Sequence, residues 1–226
     1  MSKSWFITGT DTSVGKTIAS CALLQALSAK RHRVSGYKPV ASGCDLMPEG
    51  WRNSDALSLQ ANSSFSLTYG EVNPVAFKEP TSPHIAAVME NRQIDIQQLS
   101  DGLDRLSQKS DVVIIEGAGG WYTPLNEREC LSDWVIKEKL NVILVVGIKL
   151  GCINHALLTQ RVLMSENIHL SGWIANSIEA RNTHYNAYID TLKSRLNAPL
   201  IGEIPYLSGK QKSAPLAQYI YLNQLV

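Results

Sequence analysis

The sequence lacks the features that mark secreted, membrane-spanning and nucleic-acid-binding proteins. Its four cysteines are scattered without a CxxC pair, so neither a zinc site nor a disulfide framework is predicted. No apolar run approaches the roughly 18 residues that span a bilayer, and the first residues do not resemble a signal peptide. The formal charge is +1 and there is no Lys/Arg run, so neither nucleic acid nor an anionic membrane is expected as a partner. We therefore expect a cytoplasmic protein.

Linkers, internal repeats and low-complexity tracts are also missing, so one domain over residues 1–226 is predicted. Strand and helix patterns alternate along the chain, which is typical of an α/β fold with a mostly parallel sheet and helices on both faces. A seven-stranded sheet is predicted, with strands at Trp5 to Thr8, Val34 to Val40, Val72 to Phe77, Val112 to Glu116, Val142 to Val146, Leu170 to Asn176 and Leu200 to Ile204.

The stretch Gly-Thr-Asp-Thr-Ser-Val-Gly-Lys-Thr, residues 9–17, lies between the first predicted strand and a long helical pattern. Strand, glycine-bounded loop, Lys-Thr and helix is the layout of a phosphate-binding loop, or P-loop. In such a loop backbone N–H groups bind the anion, Lys16 reaches the outer phosphates and the Thr17 hydroxyl binds Mg²⁺. The standard pattern has four residues between its glycines, whereas five separate Gly9 from Gly15 here. The prediction of a P-loop NTPase-like fold therefore rests on the flanking strand and helix as well as on the loop.

Polar residues follow the predicted strands, and ligands of such folds bind beyond the carboxyl ends of the strands. Glu116 ends a continuous apolar strand and precedes Gly-Ala-Gly-Gly, which leaves room for a ligand. Glu116 and Thr17 are candidate Mg²⁺ ligands, because this ion prefers hard oxygen donors. Asp55 is a third candidate, although a carboxylate in a first helical turn also complements the helix dipole. Lys38, held extended by Pro39, is a candidate second cation, with a solvated surface lysine as the alternative.

Two further predicted helix starts offer backbone N–H groups to an anion. Thr81 precedes Ser82 and Pro83, which capping alone explains. Gly151 to Ile153 opens the helix after a buried strand, where free N–H groups suit a carboxylate. His155 lies in the same first turn, where a lone histidine is more often structural than a base.

Several blocks of the chain occur, in the same order, in the dethiobiotin synthetases, and the sequence resembles that family almost throughout, weakening after about Gln211. The matching blocks are residues 9–17, 37–43, 53–56, 80–84, 116–121, 151–155 and 202–205. The resemblance implies a ligase that uses ATP, Mg²⁺ and CO₂ or bicarbonate to close a ureido ring on 7,8-diaminononanoate. It also implies a carbamate, a carbamic-phosphoric anhydride, and a homodimer with the site at the subunit interface.

The resemblance further implies roles for individual residues. The catalytic residues are Thr12, Lys16 and Lys38, and the metal ligands are Thr17, Asp55 and Glu116. The nucleotide-binding residues are Ser13, Val14, Gly15, Lys16, Thr17, Ile18, Asp55, Glu116, Gly117, Ala118, Gly119, Asn176, Ser177, Pro205, Tyr206 and Leu207. The diamine-binding residues are Ser42, Thr81, Gly151, Cys152, Ile153, Asn154 and Tyr188, with the Gly151 to Asn154 segment and Tyr188 gripping the substrate tail from the partner chain.

One position departs from the family pattern, because Ser13 stands where many members carry a glutamate. A paralogue with altered substrate is therefore one alternative function. A P-loop ATPase switch of the partitioning or iron-protein type is another, although such switches usually carry a second lysine early in the loop and Thr10 to Val14 contains none. A GTPase is disfavoured, because no Asn-Lys-x-Asp guanine reader occurs.

Overall fold

A computed structural model describes residues 2–180, 183–208 and 215–225 of the chain. Position 211, near which the family resemblance weakens, lies outside the described residues. The strands are β1 (Lys3–Gly9), β2 (Val34–Tyr37), β3 (Val40–Ala41), β4 (Asp45–Met47), β5 (Gly50–Arg52), β6 (Val75–Ala76), β7 (Val112–Glu116), β8 (Asn141–Ile148), β9 (Leu170–Ser177) and β10 (Leu200–Ile204). The helices are α1 (Lys16–Ala29), α2 (Ser54–Asn62), α3 (Tyr69–Val72), α4 (Pro83–Met89), α5 (Ile96–Ser107), α6 (Leu131–Lys137), α7 (Cys152–Ser165) and α8 (Tyr185–Arg195), with short 3₁₀ turns at Ala217–Tyr219 and Leu222–Gln224.

The main sheet has six strands in the order β10-β9-β8-β1-β7-β2, and all of its neighbours pair in parallel. The α/β prediction is confirmed, but the predicted seventh strand of the sheet, Val72 to Phe77, forms only over Val75–Ala76 and lies outside the main sheet. Val72 ends α3, and the β6 segment pairs with β3 in a separate two-stranded sheet. The cause is Asn73, whose amide donates to the carbonyl oxygens of Lys38 at 2.7 Å and Val75 at 3.1 Å. These bonds turn the chain away from the main sheet.

Helices cover both faces of the main sheet, as predicted. Successive side chains of a strand point to opposite faces. In β8, Ile143 and Val145 belong to one buried apolar cluster, while Leu144 and Val146 belong to a second cluster that includes residues of α7 and α8. The first cluster includes residues of α1, α2, α5 and α6. The apolar face of α5 lies in it, with Leu99, Leu103 and Leu106 buried.

The register of the central strands sets where the site forms. Ile7 of β1 pairs with Glu116 of β7, and Gly9 pairs with Val145 of β8. The loop that leaves β1 therefore starts between the carboxyl ends of β7 and β8. Across β8, Gly147 pairs with Asn176 of β9, which brings that side chain to the same edge. Among the described residues no helix is both long and apolar enough to cross a membrane.

Candidate nucleotide and metal site

The P-loop is shaped by residues with left-handed backbone. Ser13 has φ 60° and Gly15 has φ 91°. A Cβ at Gly15 would stand 2.0 Å from Nδ2 of Asn176, so glycine is required by space as well as by conformation. The Asn176 side chain fills that space and donates to the Val14 carbonyl at 2.8 Å. The end of β9 therefore holds the P-loop in place just before α1 begins at Lys16.

The ammonium group of Lys16 lies between two loops. Its Nζ donates to the carbonyl oxygen of Asp11 at 3.1 Å and to that of Gly119 at 2.6 Å. The side chain is buried, and burial together with the nearby Lys38 lowers the pKa of Lys16 to about 8. Two carbonyl oxygens therefore hold this ammonium group beside the N-terminus of α1. A helix N-terminus binds anions favourably, so the position suits a phosphate group.

The Glu116 carboxylate is the centre of the site. Its Oε1 accepts from Lys38 Nζ at 2.8 Å and from Thr17 Oγ1 at 2.9 Å. Lys38 is 4% exposed and Glu116 is 1% exposed, so this ion pair is shielded from water. Burial opposes the charge of Lys38, but the attraction of Glu116 and Asp55 outweighs it and raises the pKa of the lysine. The interpretation of Lys38 as a solvated surface residue is therefore excluded.

A short segment at the start of α2 completes the site. Asp55 Oδ2 lies 3.5 Å from Lys38 Nζ. Asn53 caps the helix, with Oδ1 accepting from the backbone N–H groups of Asp55 and Ala56 at 3.1 Å each. The other end of the same amide donates to the Ser42 carbonyl at 3.2 Å. Asn53 thus fixes both Asp55 and the Ser42 segment, a positioning role that the sequence prediction missed although the N-cap residue type was visible.

The donor set fits Mg²⁺. Glu116 Oε2 is buried and has no hydrogen-bond partner, which leaves an oxygen available for a cation. Thr17, whose hydroxyl donates to Glu116 Oε1, and Asp55, which lies beside Lys38, add further hard oxygen atoms. Mg²⁺ takes only a few protein ligands beside phosphate oxygens and water. Within the described ranges no cluster of three or more His, Cys, Asp or Glu side chains has metal-binding geometry.

These residues border one cleft of about 390 Å³ at the carboxyl edge of the sheet. It brings together thirteen of the residues named from the sequence, which are Thr12, Ser13, Gly15, Lys16, Thr17, Ile18, Lys38, Ser42, Asp55, Glu116, Gly117, Ala118 and Gly119. Asn53 and Ala41 also line it.

The other named residues lie outside this lining, some of them beside it. Asn176 pairs with Ile204 across β9 and β10, so Ser177 and Pro205 follow at the same edge. Tyr206 is half exposed and Leu207 is buried. Thr81 follows a segment that contacts Gly43, whose N–H donates to the Glu79 carbonyl at 3.0 Å.

The segment at the start of α7 is linked to the P-loop by charge. Lys149 Nζ lies 3.5 Å from Asp11 Oδ2. Gly151 has φ 88°, and Cys152 after it is buried. Ile153 and Tyr188 both pack against the second apolar cluster, whereas Asn154 is exposed. Within this one chain, therefore, these residues do not enter the cleft that holds Lys38.

The fold and the phosphate-binding loop define a P-loop nucleotide-binding protein. Two solved structures share the fold. The MinD septum site-determining protein complexed with Mg-ADP from Pyrococcus horikoshii OT3 has a TM-score of 0.61 at 14% identity, over 99% of this chain and 89% of that one. A ParA family ATPase from Chlorobium tepidum TLS has a TM-score of 0.59 at 14% identity, over 100% of this chain and 95% of that one.

Sequence relatives narrow the class to one family. A family model described as an AAA domain matches residues 3–213. The chain is 54% identical over 225 residues to the ATP-dependent dethiobiotin synthetase BioD 1 of Escherichia coli (strain K12). It is 55% identical over 225 residues to BioD of Baumannia cicadellinicola subsp. Homalodisca coagulata, and both alignments cover 100% of either chain. The chain belongs to the ATP-dependent dethiobiotin synthetase family, and it is a ligase.

Proposed function

We propose that this protein uses ATP, Mg²⁺ and CO₂ to convert 7,8-diaminononanoate into dethiobiotin, with ADP and phosphate as the other products. The observation that best supports this proposal is the presence of two buried ammonium groups, those of Lys16 and Lys38, in one cleft with the Glu116 carboxylate. Such charges suit a reaction that gathers negative charge on a transferring phosphoryl group and on its acceptor.

The proposed chemistry has three steps. One amine of the substrate attacks CO₂, forming a C–N bond and losing a proton to give a carbamate. A carbamate oxygen then bonds to the γ-phosphorus of ATP while the bond from that phosphorus to ADP breaks. The second amine attacks the carbonyl carbon of the resulting anhydride and forms the second C–N bond. The C–O bond to phosphate breaks, phosphate leaves, and the attacking nitrogen loses a proton to give the ureido ring. No Ser or Cys nucleophile is required.

The chain's own residues have distinct roles in this proposal. The backbone of residues 12–17 binds the phosphates, and Lys16 neutralises the outer ones. Lys38 holds the carbamate oxygen near the phosphorus and stabilises the charge that develops there. Thr17, Asp55 and Glu116 hold Mg²⁺, which when bound neutralises phosphate charge. Ser42 and Thr81 contact the diamine.

The adenine base is assigned to the edge formed by the last two strands. The side chain of Asn176 lies at the P-loop and the Pro205 to Leu207 segment follows β10 beside it. The half-exposed Tyr206 ring supplies a flat surface for a base. Backbone groups of this segment and the amide of Asn176 then provide the polar contacts.

The substrate tail carboxylate is assigned to the start of α7 and to Tyr188 of a partner subunit, in a homodimer. Two exposed apolar side chains of this region support an interface, because Leu150 is 85% exposed and Leu158 is 58% exposed. Mixing variants tests the shared site. A heterodimer of Lys38→Met and Asn154→Ala subunits contains one intact site and should recover activity. Failure of the mixture to exceed its components, or full activity in a strictly monomeric protein, would contradict this assignment.

A cytoplasmic location forms part of the same proposal. The four cysteines are free in the structure, as expected in a reducing compartment. Fractionation of cells that express a tagged chain checks this, and recovery in the membrane pellet would contradict it.

The decisive experiment measures ATP turnover with and without 7,8-diaminononanoate plus bicarbonate, with detection of dethiobiotin by mass spectrometry. We expect turnover to require both additions and to match product formation one to one. The fold shared with MinD and ParA proteins makes an ATPase switch the second candidate. ATP hydrolysis that is indifferent to the diamine would favour the switch, and activity with only a different diamine would favour an altered substrate.

A further inference from the structure

The loop between β7 and α6 contacts the Lys16 ammonium, and the groups that hold this loop form a separate system of hydrogen bonds. The loop starts at Gly117, whose N–H donates to the Ile7 carbonyl at 3.0 Å. Two residues later the Gly119 carbonyl accepts the 2.6 Å hydrogen bond from Lys16 Nζ. The position of the ammonium therefore depends on the position of this carbonyl, which makes the shorter of its two hydrogen bonds, beside that of Asp11.

Thr123 holds the peptide groups on both sides of that carbonyl. Its hydroxyl lies 2.6 Å from the Ala118 carbonyl oxygen and 3.2 Å from that of Gly120, and the side chain is buried. Gly119 has φ 59°, and a Cβ on it would stand 2.6 Å from Thr123 Oγ1. The hydroxyl thus occupies the space that the missing side chain leaves, and it locks the loop in its left-handed turn.

Glu166, at the end of α7, holds the same loop from outside. Its carboxylate accepts from Trp121 Nε1 at 2.7 Å and from the Tyr122 hydroxyl at 2.5 Å. The hydrogen bond to the Glu166 carboxylate is the main reason that the pKa of Tyr122 is raised to about 12. Trp121 is buried edge-on against Phe6, with ring centroids 6.3 Å apart. The loop is therefore fixed at its centre by Thr123 and at its outer end by Glu166.

We propose that Thr123 is a positioning residue, which holds the Gly119 carbonyl so that it orients the Lys16 ammonium for ATP, with Glu166 supporting the same loop. This inference rests on the proposed function, since it takes Lys16 as the residue that binds the phosphates. A lysine carries its charge on a flexible four-carbon stem, so its direction must be set by acceptors. Without the Thr123 hydroxyl the loop loses its internal bond and the Gly119 carbonyl loses its fixed position.

The test replaces Thr123 with Val, which keeps the shape and removes the hydroxyl, and with Ser, which keeps the hydroxyl. We expect Thr123→Val to raise the KM for ATP and the Kd for Mg-ATP about tenfold, with the KM for the diamine unchanged within twofold. Thr123→Ser should stay within twofold of the parent on all three. Thr191→Val is the matched control, because it removes a hydroxyl that bonds the Ala187 carbonyl in α8 at 2.7 Å. It should change none of them.

Two results for the Thr123→Val protein would overturn the proposal. One is a folded Thr123→Val protein with parental affinity for Mg-ATP. The other is a loss that falls equally on ATP and the diamine and follows the melting temperature, which is the behaviour of a merely structural residue. If Thr123→Val does not fold, Tyr122→Phe removes one donor to Glu166 at a residue that is 56% exposed. We then expect a two- to threefold higher KM for ATP, and an unchanged value would overturn the proposal.

The readouts separate this inference from the function on which it rests. If the parent protein makes no dethiobiotin, the proposed function fails, but binding of Mg-ATP by calorimetry still tests Thr123. If the parent is active and Thr123→Val binds Mg-ATP as the parent does, the positioning role alone fails.

Discussion

Two clefts lie at opposite edges of the same sheet, and they differ in kind. The cleft at the amino edge is the larger, at about 550 Å³ against about 390 Å³ for the one at the carboxyl edge. Most of its charged side chains, among them Asp104, Lys139 and His169, are exposed to solvent, and Glu138 is partly buried. The smaller cleft contains the buried charges of Lys16, Lys38 and Glu116.

The comparison shows that a cluster of buried charged side chains indicates the candidate functional site better than the volume of a cleft does. Exposed charges keep their water and interact weakly with their neighbours. Buried charges persist only when they are paired or hydrogen-bonded, as Lys38 is to Glu116 and Lys16 is to two carbonyl oxygens, and they act strongly on a charged ligand that binds among them. Parallel strands followed by helix N-termini bring such groups to the carboxyl edge and not to the amino edge. Substitutions matched between the two clefts test this contrast.

The largest expected effect follows from Lys38→Met. We expect ring closure to fall more than a hundredfold, which corresponds to about 3 kcal/mol, because one electrostatic contact to the transition state is lost. ATP binding should survive, since Lys16 and the P-loop backbone remain. Lys139→Met, in the amino-edge cleft, is the control and should leave the rate unchanged. Steady-state kinetics check both, and a Lys38→Met rate within about tenfold of the parent would reject this role.

Gly15→Ala should have the next largest effect. Alanine at φ 91° is strained, and its Cβ would stand 2.0 Å from Asn176 Nδ2. We expect a loss of about 2 kcal/mol in stability or in ATP affinity. Gly70→Ala is the control, because a Cβ there has no atom within 4 Å. Thermal unfolding measures the stability and calorimetric titration measures the ATP affinity. Equal stability and equal ATP affinity of the two alanine variants would contradict the prediction.

Glu116→Gln should have a smaller effect, on metal-dependent binding. The amide cannot neutralise a divalent cation, so we expect Mg²⁺-dependent ATP affinity to fall about tenfold, or about 1.4 kcal/mol. Glu138→Gln, in the amino-edge cleft, is the matched control. Titration of ATP with and without Mg²⁺ checks the pair. Equal Mg²⁺-dependent affinity in the parent and in Glu116→Gln would rule out Glu116 as a ligand.

The smallest effect is a pH dependence of stability away from the site. A hydrogen bond from Lys109, and then bonds from Thr68, lower the pKa of Glu71 from 4.5 to about 2. A lowered pKa means that this contribution is present above pH 4.5 and is lost as the pH falls towards 2. The pair is partly exposed, so we expect less than about 1 kcal/mol. Free energies of unfolding measured in urea should become equal for Glu71→Gln and the parent as the pH falls through that range. A difference between the two proteins that stays constant with pH would refute the prediction.

Much of the site was predictable because its residues lie next to recognisable patterns. Lys38 before a proline at a strand end is buried, and Glu116 at the end of an apolar strand faces the P-loop, as the parallel-sheet prediction requires. Only Val75–Ala76 of the strand predicted at Val72 to Phe77 forms, outside the main sheet, because side-chain bonds of Asn73 override the β propensity of its neighbours. No sequence pattern pointed to Thr123, because its hydrogen-bond partners are backbone carbonyl groups whose position depends on how the glycine-containing loop turns.

The sequence by itself determined the alternation of strands and helices, the P-loop and the residue types at the ends of the strands, because hydrophobic period and glycine spacing act locally. Only the tertiary structure decided that Lys38 Nζ bonds Glu116 and that Gly119 holds Lys16. Those contacts join residues 78 and 103 positions apart. Their distances are fixed by strand register and by packing across the sheet, which no local pattern specifies.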